Sequence, residues 1–273
     1  MKSYDLMYVN GCSFTAGDRI DKTKTWPEIL QKKLNIEMID DSKNGNSMDT
    51  IVTITINQSI KLQGKVLYII GLTWPGRVGI NIGDIMFNWS LNDLLSSDTN
   101  KSVYMSKLLR HKRVSILNNH DKRQNIQKCH IEDVYGDAVY EIIKSFNKYI
   151  KNIVTYDEKF NTNINLLHLR QILEIQNFFK ANNYDYLLVN FNTLLFNYCY
   201  ENDILKPYID KLDKDKILNL HHNGSNSHYN VEEYRNIKIS KNIQDYECDG
   251  ETGHPSEKGC VEISERIYDF IDR

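Results

Sequence analysis

The sequence predicts an α/β fold of three layers, a parallel sheet held between two sets of helices. Three observations carry this. Short apolar runs without alternation, at residues 6–9, 66–70 and 186–189, each end at a polar residue or a glycine, as strands buried on both faces do. Helical signals fall between those runs, in the order of strand–helix–strand units. A chain of 273 residues with 41% hydrophobic and 26% charged residues is long enough for one large domain of this kind.

Taken in order, the first strand is residues 6–9 (Leu-Met-Tyr-Val), ending at Asn10-Gly11. Thr25-Trp26-Pro27-Glu28 reads as a capping box, with Pro27 in the first helical turn and Ile29, Leu30 and Leu34 on one face. Residues 36–39, closed by Asp40-Asp41, form a second strand. Asn46 or Ser47 then caps a segment in which Val52, Ile56 and Ile60 suit a helix. The β-branched alternation of Val52, Ile54 and Ile56 also suits a strand; a helix is the expectation. Residues 66–70, before Gly71, are the third strand.

The stretch from 79 to 157 interrupts the rhythm. It is polar and mixed in charge, carries the basic cluster His111-Lys112-Arg113, and far exceeds the length of an ordinary crossover. We read it as a largely helical insertion, clearest at 138–150, within a single domain spanning 1–273. Beyond it, Leu166, Leu169, Leu173 and Phe178 have helical spacing over 161–181. Residues 186–189 make a strand before Asn190, and 217–220 a weaker fifth. From Ser256 onward, Cys260, Ile263, Ile267 and Phe270 or Ile271 line one face of a final helix.

Composition excludes several classes. A net charge of -2 lacks the basicity of a nucleic-acid binder. No apolar run approaches the roughly 20 residues of a membrane span, and the first residues lack the apolar stretch of a secretory signal. The expectation is a cytoplasmic protein with no nucleic-acid partner. Its oligomeric state is not legible. Cys12, Cys129, Cys199, Cys248 and Cys260 are odd in number, scattered and without a CxxC pair, so they read as reduced thiols. His221, His222 and His228 lie in an Asn/Ser/Gly-rich stretch without carboxylate or thiol company, and read as a solvated loop. No phosphate-cradling glycine loop occurs. No metal or cofactor is expected.

Four blocks carry chemistry. Gly11-Cys12-Ser13-Phe14-Thr15 follows the first strand, where α/β proteins place ligands. Asn44-Gly45-Asn46-Ser47 follows the second. Gly71-Leu72-Thr73-Trp74-Pro75-Gly76-Arg77 follows the third. Asp249-Gly250-Glu251-Thr252-Gly253-His254-Pro255-Ser256 enters the last helix. A serine needs a base to take its proton, and a histidine base is usually oriented by a carboxylate. Ser13 and His254 stand at opposite ends of the chain. They can act together only if the fold brings those ends to one edge of the sheet.

In this order the four blocks resemble the SGNH (GDSL-type) hydrolase superfamily, over about two thirds of the chain. The resemblance implies a flavodoxin-like sheet of about five strands and metal-free hydrolysis of acyl esters, small molecules or glycans among them. It implies Ser13 as nucleophile and His254 as general base, with Gly45 donating to the oxyanion alongside the Ser13 N–H. The sequence departs from the pattern in three places. Cys12 replaces the usual aspartate, and strand alternation points it away from Ser13's side. Thr73 replaces an asparagine donor, and Arg77 four residues later could bind an oxyanion or an anionic substrate group; Asn46 is a further binding candidate. Spacing favours Glu251 as the acid that orients His254, whereas residue type favours Asp249. An O-acyltransferase and a non-catalytic binding module on the same scaffold are the rival readings.

Overall fold

The computed structural model describes residues 3–75, 77–82, 85–90, 114–116, 157–191, 196, 199–223, 244–247 and 254–272. The central sheet contains β1 (Leu6–Asn10), β2 (Glu37–Asp40), β3 (Val66–Leu72), β7 (Asp185–Asn190), β8 (Ile217–Asn223) and β9 (Gln244–Glu247). They pair in the order β2-β1-β3-β7-β8-β9, every pair parallel. Counted along the sheet, the first five run 2-1-3-4-5, the flavodoxin-like winding, whose switch point falls between β1 and β3. The register aligns Asn10 with Ile70 and Leu72 with Asn190, so the loops carrying the blocks leave from one edge.

Alternation along the strands divides the core in two. Tyr8, Tyr68, Ile70 and Leu188 pack with Met48, Ile51, Leu169, Ile172 and Phe179 from α3 (Met48–Ser59) and α4 (Asp157–Ala181). Met7, Val9, Ile69, Val189 and Leu218 pack on the other face with Trp26, Leu30, Ile263 and Ile267. Those come from α2 (Trp26–Leu34) and α6 (Glu257–Ile271). Both faces of the sheet are therefore covered, which is why β1, β3 and β7 are continuous apolar runs.

Some local details differ from expectation and others follow it. Thr25 stands at the N-cap of α2, but its hydroxyl donates to Lys22 O (2.9 Å) and not into the helix, so no capping box forms. Ser47 caps α3 by accepting from the Thr50 N–H, and the β-branched segment is helical because tertiary burial on the sheet outweighs its strand propensity. The loop expected at His221 and His222 is strand, since β8 continues to Asn223 by pairing with β9. His228 lies outside the described residues.

Of the described parts of 79–157, Asp157 begins α4 and the others are strands. Together with Arg77 and Val78 they form a second, antiparallel sheet of β4 (Arg77–Ile82), β5 (Ile85–Ser90) and β6 (Val114–Ile116), in that order. Its signal was a two-residue Gly83-Asp84 break between Val78/Ile80/Ile82 and Ile85/Phe87/Trp89. The expected helix at 138–150 and the basic cluster at 111–113 lie outside the described residues. A single turn, α5 (Lys206–Ile209), precedes β8. Among the described residues, no helix is long and apolar enough to cross a membrane.

Candidate active site

At the end of β1 the buried Asn10 side chain ties the strand to α3. Its amide donates to Ile51 O (3.2 Å) and Thr55 Oγ1 (3.1 Å), while its carbonyl oxygen accepts from the Gly11 N–H (2.8 Å). Beside it, burial first and the Asp41 carboxylate second push the Tyr8 phenol well above its ordinary range. It therefore stays a donor to Asp41, at 3.0 Å. This polar layer fixes where the chain turns out of the sheet. The turn becomes α1 (Ser13–Ala16), with Cys12 at its N-cap and Gly17 left-handed (φ 74°) at its end. Ser13 occupies the first helical position, where a backbone N–H has no intrahelical acceptor.

Two glycines let α1 sit close against the sheet. A Cβ on Gly11 or on Gly71 would stand 2.2 Å from Thr15 Oγ1 in either case, so the Thr15 side chain fills the gap between adjacent strand ends. Cys12 is buried on the α2/α6 side with Val9 and Trp26, away from the site. Nothing in the sequence singled out Asn10 or Thr15 beyond a polar residue closing an apolar run.

The last block arrives from the opposite end of the chain. Ser256 caps α6 by accepting from the Gly259 N–H (3.0 Å); its own N–H and hydroxyl donate to Glu247 O (3.0 Å) and Glu247 Oε1 (2.9 Å) in β9. Two residues before this anchor, His254 Nε2 lies 2.8 Å from Ser13 Oγ. The Phe14 ring backs the imidazole at 4.8 Å between centroids, and Trp26 Nε1 in turn donates to Phe14 O (3.1 Å). Asp249 and Glu251 lie outside the described residues.

The second and third blocks close in around this contact. Gly45 has φ 85°, a left-handed turn suited to glycine. Asn46 is fully buried and donates its amide to Gly11 O (3.1 Å), so its side chain braces the turn under Ser13. Asn44 Nδ2 donates to Asp18 Oδ1 (2.7 Å), joining the same turn to the end of α1. Thr73 is buried beyond β3, and Arg77 Nη1 donates to Thr73 Oγ1 (3.1 Å) and to Asn46 O (3.5 Å). Trp74 is 40% exposed at this edge rather than a core residue.

Ser13, Gly45, Asn46, Thr73, Arg77 and His254 thus share the edge where β1, β2 and β3 end. The arrangement can deliver a hydroxyl to a carbonyl with an imidazole in contact to take the proton. Among the described residues, no cluster of three or more His, Cys, Asp or Glu side chains could hold a metal ion.

No protein-family model matches the chain, and no curated protein does. Solved structures do. One is a member of the lipolytic protein G-D-S-L family from Veillonella parvula DSM 2008, 12% identical, with a TM-score of 0.34 over 98% of each chain. Another is the psychrotrophic esterase EstA from Pseudoalteromonas sp., in a structure inhibited by monoethylphosphonate. It is 11% identical, with a TM-score of 0.41, over 98% of this chain and 97% of that one. A third is TesA, 10% identical, with a TM-score of 0.39 over 97% of each chain.

Proposed function

We propose that the protein is a serine hydrolase of the SGNH type that cleaves acyl esters of small molecules or glycans. The observation that carries this reading is the 2.8 Å contact between Ser13 Oγ and His254 Nε2. It meets the reach that general-base catalysis demands. In the first step Ser13 Oγ bonds to the acyl carbon and its proton passes to His254 Nε2. The N–H groups of Ser13 and Gly45, with the Thr73 hydroxyl, donate to the oxyanion. The ester C–O bond then breaks, and the imidazolium returns its proton to the departing alcohol. Water, deprotonated by His254, releases the acid and restores Ser13. Asp249 or Glu251 orients the imidazole through its other nitrogen. The residues of 79–157, an insertion in one domain, shape the substrate pocket.

Fluorophosphonate labelling followed by peptide mass spectrometry tests the reading. Modification at Ser13, lost in Ser13→Ala and His254→Ala, together with hydrolysis of 4-nitrophenyl acetate, is the expected result. Folded protein that neither labels nor hydrolyses short esters would falsify the proposal. Turnover that rises only when an alcohol acceptor is added would identify an acyltransferase.

A further inference from the structure

We propose that Arg77 is the specificity determinant of this site and selects esters that carry a carboxylate close to the scissile bond; this rests on the hydrolase reading above. Arg77 opens β4, where its backbone is fixed opposite Ser90 in the antiparallel sheet. In the central sheet β1 lies between β2 and β3. The Arg77 guanidinium joins Thr73, after β3, to Asn46, after β2, and Asn46 in turn holds Gly11 O two residues before Ser13. It therefore bridges the two loops that flank the nucleophile's own turn.

Among the described residues, the charge on this bridge is uncompensated. Both of its acceptors, a threonine hydroxyl and a backbone carbonyl, are neutral. Lys24, Lys33, Lys180, Lys214 and Lys258 each have a carboxylate within ion-pair distance, whereas among the described residues Arg77 has none. Asp49, three positions after Asn46, is already engaged by the Gln171 amide and the Gly79 N–H. A partly buried cation without a counter-charge is costly to the fold alone and favours an arriving anion. One guanidinium nitrogen is held by the protein. The remaining N–H donors form the planar fork that suits a carboxylate.

The test compares matched esters. Mono-4-nitrophenyl succinate against 4-nitrophenyl butyrate places the carboxylate on the acyl side; 4-acetoxybenzoate against its methyl ester places it on the alcohol side. In at least one pair the anionic member is expected to be preferred by about tenfold or more in kcat/KM, the range of one charge-assisted contact. In Arg77→Gln that ratio falls to near one, chiefly through KM on the anionic ester, and Arg77→Lys recovers part of it. No anionic preference in either pair, or a preference that survives Arg77→Gln, overturns the proposal. Calorimetric titration of Ser13→Ala with monomethyl succinate and methyl butyrate reads binding without turnover. Arg77-dependent binding of the succinate in a chain that never labels with fluorophosphonate would sink the hydrolase reading and keep the anion site. Labelling at Ser13 without Arg77-dependent preference or binding would do the reverse.

Discussion

Gly259, in the first turn of α6, lies so close to β9 that a Cβ there would stand 1.9 Å from the carbonyl oxygen of Glu247. The same carbonyl accepts from the Ser256 N–H, so strand and helix cap approach each other through one backbone group. A methyl group at 259 must therefore push the start of α6 away from the sheet, and His254 lies just ahead of that start. Gly259→Ala is expected to cost about 1–3 kcal/mol, as overpacking typically does. Ser13 labelling should fall with it. Chemical denaturation and labelling of the same sample check both effects. Lys258→Ala, at an exposed neighbouring ion pair, should leave stability close to wild type.

The gap between β1 and β3 supports a rescue experiment. Gly71→Ala sets a methyl group against Thr15 Oγ1 at 2.2 Å, while Thr15 Cβ is 3.5 Å away. Gly71→Ala should therefore destabilise the protein by about 1–3 kcal/mol. The double variant Thr15→Ala/Gly71→Ala should regain most of it, because Thr15 Oγ1 is the nearest obstruction, and Phe191 Cε2, at 3.2 Å, need give by only a few tenths of an ångström. A double-mutant cycle in urea measures the coupling, and strictly additive losses would refute the packing argument.

Much of the architecture was legible because burial leaves a trace in the pattern. β1, β3 and β7 are covered on both faces, so every residue in them must be apolar or paired. β9 left no such trace: Gln244–Glu247 reads QDYE, and it is a strand because its backbone pairs with β8 and docks α6. Ser13 and His254 could be named from residue type and block order. Their contact could not, since it depends on how β9 and Gly259 seat the last helix. Asn10, Thr15 and Phe14 were invisible for the same reason, each acting through a neighbour remote in sequence.

His168 is expected to make the stability of the core acid-sensitive. It is buried in α4, its Nε2 has no hydrogen-bond partner among the described residues, and burial lowers its pKa from 6.5 to about 3. In the unfolded chain the imidazole takes its proton below about pH 6.5; in the folded chain it does so only near pH 3. Between those values the unfolded state binds more protons, so stability falls as the pH is lowered, by up to about 1.4 kcal/mol per pH unit. His168→Leu should remove that slope. The measurement is the difference in unfolding free energy between wild type and variant from pH 7 to pH 4, and a difference that stays flat would refute it.

Thr73 separates packing from chemistry. Thr73→Val keeps the shape and removes the hydroxyl that accepts from Arg77. If that hydroxyl donates to the oxyanion, kcat should fall by about 10²–10³ with little change in KM, as for loss of one such donor. Thr73→Ser should retain most of the rate. Steady-state kinetics on 4-nitrophenyl acetate decide, and a Val variant as fast as wild type would remove Thr73 from the oxyanion site.

The pairing of a residue at position 13 with one at position 254 also has a consequence in time. Domains organise from the N-terminus as they are synthesised, at roughly 5–20 residues per second. If Ser13 is the nucleophile and His254 its base, the nascent chain carries the first without the second for the whole of that interval before β9 and α6 emerge. A ribosome-stalled or prematurely terminated product would hold the Ser13 turn and nothing to deprotonate it. On that reading the order of the elements keeps the hydroxyl silent until β9 and α6 are in place.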